Sequence, residues 1–239
     1  MPDDLDIWRF AAIALIFVMW IGYGPILSVL GRGTLNAQLH VVRMKWMRMI
    51  INAKRENRVF DGILLGHIAG QMSFFGSATL IVLAGLLGTL AGINRVHASL
   101  VDIPFFPQTS MQLFTIHFVV LTVIIAFAFF SFTYSLRKLA YTLAMIGALP
   151  EAPCDDSQAQ IMIDQTATVL TESVKSLNNG IRGFYFAVSA LFLFFGPAVS
   201  ITVTLLVSVV LYWRQGLSTT ALAIERYVDA MAKRNQASL

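Results

Sequence analysis

Along this chain the apolar positions gather into four long runs, and the polar positions gather between them. No Asp, Glu, Lys or Arg occurs between Arg9 and Arg32, between Asp61 and Arg95, between Asp102 and Arg137, or between Arg182 and Arg214. Each run exceeds the roughly 20 apolar residues that carry a helix across a bilayer. In hydrocarbon the backbone must satisfy its own N–H and C=O groups, so such runs predict helices. The expected fold is all-α: a polytopic integral membrane protein of one membrane domain, residues 1–239, with about four spans at 8–30, 62–93, 111–135 and 184–213.

The polar segments have a periodicity of their own. In the loop 32–61, Leu35, Leu39, Val42, Trp46, Met49 and Ala53 recur in steps of four and three, which predicts a helix with one apolar stripe. Lys45, Arg48, Arg55 and Arg58 are left for its polar side. In the loop 136–183 the stripe is Ile163, Ala167, Leu170, Val174, Leu177 and Ile181, on a helix capped near Asp156 or Ser157 and broken at Asn179-Gly180. The tail 214–239 repeats the spacing at Leu217, Ala221, Ile224, Val228 and Met231. Residues Asn94 to Ser110 read as a short loop, with Asp102-Ile-Pro-Phe-Phe-Pro107 as an aromatic edge at the interface. Repeats on several such segments point to helices that pack together, within or between copies of the chain.

Glycine and proline refine the spans. Gly22, Gly24 and Pro25 predict a kink in the first. Gly66 and Gly70, then Ala84, Gly88 and Gly92, give the second a face of small residues that lets another helix approach closely in lipid. The fourth holds Gly196-Pro197 near its middle. Its length suits one kinked helix, and two short re-entrant halves are the other option.

Charge sets the orientation. Loop one carries seven Lys or Arg and loop three four, while the N-terminal segment and the middle loop carry one each. Both long loops therefore face the cytoplasm and the N-terminus faces out, in a cell inner membrane. The tail carries four positive charges, which fits an outside position poorly and is the best argument for the re-entrant option, but one kinked span is the expectation. The pI near 9.4 follows from these loops and calls for no nucleic acid. Composition agrees: 57% of residues are hydrophobic and 13% charged, against roughly 45–50% and 25% in soluble domains. The single cysteine, Cys154, excludes an intrachain disulfide and has no zinc-motif neighbours.

Candidate chemistry is sparse. His67 and His117 fall at opposite depths of the bilayer, so they cannot share one haem iron, and no cofactor or metal is expected. No GxSxG, HExxH, Walker A or GxGxxG pattern occurs, and no catalytic residue is expected. His67, Gln71 and Phe74 share one face of span two, flanked by Phe75 and Ser77, and could line a path gated by the phenylalanines. Arg58 and Asp61, three apart, suit an ion pair at that helix end. Arg182 suits an interfacial anchor. No carboxylate lies inside a span, which disfavours coupled transport.

Several pieces together resemble a family of bacterial and plant membrane proteins known only as domain of unknown function family 599. They are Arg43-Met-Lys-Trp46-Met47, Arg58-Val-Phe-Asp61, Phe74-Phe75-Gly-Ser77-Ala-Thr79, Gly180-Ile-Arg182-Gly-Phe184-Tyr185-Phe186 and Gly196-Pro197. Gly76 departs from the alanine more usual there. The resemblance implies a polytopic membrane protein and no known activity. The resulting expectation is a non-enzymatic, homo-oligomeric, channel-like protein with span two along the path. The alternative is a non-transporting scaffold or accessory subunit, whose protein partner the sequence does not name.

Overall fold

The structure, a computed structural model, describes residues 6–29, 34–51, 58–101, 107–150 and 157–236. Among these residues every regular element is helical: α1 (Ile7–Val29), α2 (Leu35–Ile51), α3 (Arg58–Ala91), α4 (Ile93–Val101), α5 (Met111–Gly147), α6 (Ser157–Leu191), α7 (Pro197–Gly216) and α8 (Thr219–Gln236), with a 3-10 turn at Phe192–Phe195. Four stretches are long and apolar enough to cross a membrane, on α1, α3, α5 and the α7–α8 segment. The chain is an all-α polytopic membrane protein.

Three expectations change. Asn94 to Ser110 is not all loop, because α4 occupies Ile93–Val101; the proline-flanked residues 102–106 lie outside the described residues. Asn179-Gly180 does not break α6, which continues to Leu191. Most importantly, residues 184–213 are not one kinked helix. α6 tightens into the 3-10 turn and stops at Gly196, whose φ of 111° suits a residue without a Cβ. Pro197 then opens α7, where its missing N–H costs nothing. Ser200 Oγ donates to the Ser189 carbonyl at 3.1 Å. In a continuous helix those residues would stand about 16 Å apart along the axis. The bond therefore requires the chain to double back, and the end of α6 and the start of α7 form a hairpin.

The chain divides into two compact units, each assembled from three segments. The first comprises Met1–Ile26, Gly76–Phe130 and Asn179–Tyr212. Its core is aromatic. Trp20 meets Phe127 edge-on at 4.9 Å, and Phe194 packs against Phe114 and Phe118 at 5.2 and 5.9 Å. α6 approaches α5 closely at Gly183, where a Cβ would fall 3.0 Å from that of Ala128.

The second unit comprises Leu27–Phe75, Ser131–Asn178 and Trp213–Leu239. Here α5 and α6 run antiparallel through a reciprocal pair: Ser135 Oγ donates to the Ser173 carbonyl at 2.7 Å, and Ser173 Oγ to that of Ser135 at 2.8 Å. Phe75 stacks on Phe132 at 5.5 Å. α2 packs against α8, and the Leu35 N–H donates to Gln215 Oε1 at 3.1 Å. The α6 stripe buries Ile163, Ala167, Leu170 and Leu177, as its periodicity predicts. The α2 face is rotated from expectation: it buries Asn36, Met47, Ile50 and Ile51, while Met49 is exposed. The cause is polar. Asn36 Nδ2 donates to the Thr171 carbonyl, and both His40 and Arg43 bond to Thr171 Oγ1, which turns that side of α2 toward α6.

Candidate functional site

The residues expected along span two point outward. His67, Gln71 and Ser77 are exposed, Phe74 is 69% exposed, and Phe75 is half-buried against Phe132. α3 is turned this way by what its other face holds. Asp61, Leu65, Met72 and Thr79 are buried on it, at spacings of four and seven. Trp46 Nε1 donates to Asp61 Oδ1 at 2.7 Å, and the Met72 sulfur accepts from Ser135 Oγ at 3.2 Å. The expected stripe thus lines no interior of a single chain. Only 11% of the apolar window of α3 is buried, against 44% for α5. Gly62, Gly66, Gly70, Gly85 and Gly88 have open space where a Cβ would stand. The Arg58–Asp61 ion pair lies outside the described residues, because the Arg58 side chain is not among them. Asp61 accepts from the Trp46 indole, so two of the segments that carry the family resemblance meet at this bond.

The polar interior lies elsewhere, on α7 within the first unit. The buried residues of α7 are Ser200, Thr204, Ser208 and Leu211, while Val199, Leu205, Leu206, Val209 and Val210 are exposed. Most of its aliphatics face outward, as suits lipid, and a row of hydroxyls faces inward. Ser200 bonds to the Ser189 carbonyl, Thr204 to that of Ser200 and Ser208 to that of Thr204. Each step of four residues rises about 6 Å, so the seam from Ser200 to Tyr212 runs about 18 Å.

Both ends of the seam carry polar groups. Near the hairpin turn, Ser189 is fully buried and its Oγ finds no partner in the chain. His117 is 3% exposed and neither ring nitrogen has a partner; its ring meets Phe194 at 5.6 Å. At the far end Tyr23 and Tyr212 stack at 5.1 Å, and Tyr23 donates to the Leu211 carbonyl. The Arg182 guanidinium lies over the Tyr23 ring at 4.7 Å, with Nη2 on Asn179 Oδ1 at 2.8 Å. Arg182 Nε and the Tyr212 hydroxyl are buried without partners. Buried polar groups in proteins nearly always find a bond, so a cluster of such exceptions marks a place built for something more. Sequence reasoning anticipated Arg182 as an anchor and missed the hydroxyls. Their signal was the four-residue spacing of Ser200, Thr204 and Ser208 inside an aliphatic run.

The second unit holds a charged cluster formed by Arg43 on α2, Lys138 on α5, and Glu172 and Lys175 on α6. Burial pulls the Arg43 guanidinium below its ordinary pKa. Burial alone would raise the Glu172 carboxyl, but the Lys175 hydrogen bond and charge at 3.0 Å, with Lys138 at 3.6 Å, outweigh it and hold Glu172 below its usual value. A carboxylate lowered on folding adds stability above its unfolded pKa and loses it as pH falls through the folded one. The melting midpoint of detergent-solubilised protein should therefore exceed that of Glu172→Gln above about pH 5. The gap should close as the solution is acidified below about pH 4. A gap that widened on acidification would contradict this assignment. Among the described residues no three His, Cys, Asp or Glu come together as a metal site.

Comparison with known proteins adds a family and no activity. A family model described as "Protein of unknown function, DUF599" matches residues 11–220. No curated protein and no solved structure matches the chain.

Proposed function

The chain belongs to the DUF599 family of proteins of unknown function, and from that premise we propose a homo-oligomeric, channel-like protein of the cell's inner membrane. The path is the hydroxyl seam of α7 inside each protomer, and α3 is the contact between copies. The observation that carries this reading is the hydroxyl row of α7. Valines and leucines facing outward are ordinary for a helix in lipid, and small polar residues often pack between helices. Here Ser200, Thr204 and Ser208 form one continuous buried row that runs from Ser189, whose hydroxyl finds no partner in the chain, toward Tyr212, whose hydroxyl finds none either. Copies are expected to meet on α3 because its glycines stand open and because His67 and Gln71 are exposed on it. Polar side chains facing hydrocarbon are costly, and a second helix relieves the cost.

The hairpin supports the sidedness read from the loop charges. The segment from Asn179 through Phe195 spans about 28 Å as helix and 3-10 turn, close to the roughly 30 Å of a hydrocarbon core. Entering by this limb and leaving by α7 returns the tail to the side of the two long basic loops. The tail's four positive charges then obey the same rule as those loops, with the N-terminus outside. The hydrogen bond from Leu35 to Gln215 agrees with this placement.

Thr204→Val keeps the shape of the side chain and removes its hydroxyl. With Ser200→Ala and Ser208→Ala it should abolish conductance in proteoliposomes while leaving the elution profile unchanged. Undiminished conductance in the triple variant would rule out the seam. A second reading places the path between copies, lined by the exposed His67, Gln71 and Phe74. In that case Phe74→Ala raises leak conductance and the seam variant leaves it unchanged. A stoichiometric foreign subunit after purification in mild detergent, with no conductance, would favour a scaffold.

A further inference from the structure

The unpartnered atoms along the seam share one property. Ser189 and Tyr212 each have an O–H to give, Arg182 Nε carries an N–H, and a neutral His117 carries one N–H on its ring. All four belong to the first unit. Leaving a buried donor without an acceptor costs about 1–3 kcal/mol, so four such donors call for an acceptor that the chain does not supply. The charge points the same way. Among the described residues of the first unit, Asp6 is the one carboxylate, and its Oδ1 accepts from the Arg9 backbone at an exposed position. Arg182 has the Asn179 amide and the Tyr23 ring, itself stacked on Tyr212, about it. The seam thus has donors along it and the Arg182 cation at one end, and none of the described residues that line it is a carboxylate.

A cation would meet the Arg182 charge in a medium of low dielectric. A neutral solute would leave the Arg182 charge uncompensated. A small anion satisfies both the donors and the charge, and anion paths are lined in this way by arginine or lysine and by donors. One guanidinium balances one charge, which favours a monovalent ion over a doubly charged phosphate. We infer that the species carried is a small monovalent inorganic anion of the halide or nitrate kind, taken in turn by the donors of Arg182 and Tyr212, of Ser189 and of His117.

This inference rests on the channel reading of the α7 seam, and two measurements separate them. The reversal potential in planar bilayers under a potassium chloride gradient reports which ion moves. The melting midpoint in detergent, in potassium chloride or nitrate against potassium gluconate at equal ionic strength, reports anion binding without conduction. The expected results are a reversal potential near that of chloride, a higher midpoint in chloride or nitrate than in gluconate, and loss of both in Arg182→Gln. Ser189→Ala, which removes one buried hydroxyl at little risk to folding, should reduce both. A reversal potential near that of potassium overturns the anion inference and leaves the seam as a path. An anion-dependent midpoint that vanishes in Arg182→Gln, without any current, upholds the anion site and overturns conduction. Absence of both current and anion effect overturns the two together.

Discussion

Gly183→Leu should leave little of the chain in the monodisperse peak of detergent-solubilised protein. At this position α6 lies so close to α5 that even a methyl group would stand 3.0 Å from Ala128 Cβ, with the Ala128 Cα and the Ile124 carbonyl at 3.6 and 3.7 Å. Those neighbours are backbone and the stub of an alanine, so none can swing aside as a flexible side chain would. Overpacking a tight core costs about 1–3 kcal/mol and sometimes more. A leucine adds three further carbons to a contact already full, so it belongs at the upper end. Gly183→Ala should be milder, and adding Ala128→Gly should restore it by moving the methyl across the contact. Size-exclusion profiles and melting midpoints of the three variants, against the wild type, provide the check. Wild-type behaviour of Gly183→Leu would show that the two helices do not meet here.

The second large effect is expected at Trp46. Its indole is 2.7 Å from Asp61 Oδ1, and Asp61 is only 3% exposed. Hydrogen bonds to a charged group contribute about 1.5–3 kcal/mol, and a buried carboxylate that loses one of its donors keeps its desolvation cost. Trp46→Phe removes the N–H and part of the ring together, so a drop of about 3 kcal/mol or more in unfolding free energy is expected. Asp61→Asn keeps an acceptor for the indole and should cost less. Reversal of that order would mean that the indole acts through packing alone.

How far the sequence could be read depended on the kind of signal at each place. The apolar runs of α1, α3 and α5 were legible because a helix that must cover itself with water cannot go more than twenty residues without a charge. The rotation of α3 was not. Leucine, isoleucine and glycine surround it on every side, so no periodicity distinguishes a buried face, and its orientation comes from Asp61 and Met72 meeting partners far along the chain. α2 was misread by one position, because a hydrophobic stripe was counted where Asn36, His40 and Arg43 make the contact. In the run 184–213, Gly196-Pro197 suits a kink and a reversal equally well. The basic tail argued for the reversal, and the length of the run argued against it. The seam was overlooked because hydroxyls on a membrane helix carry no charge and barely disturb hydropathy.

The crossed pair of Ser135 and Ser173 also limits how α5 and α6 can move within the second unit. A piston stroke of one helical turn, about 5.4 Å, would break both bonds at once and strand two hydroxyls. Rolling or tilting about the same point would keep them. The pair behaves as a pivot pin, and a lever swinging on it is the motion this helix pair can make without losing its register.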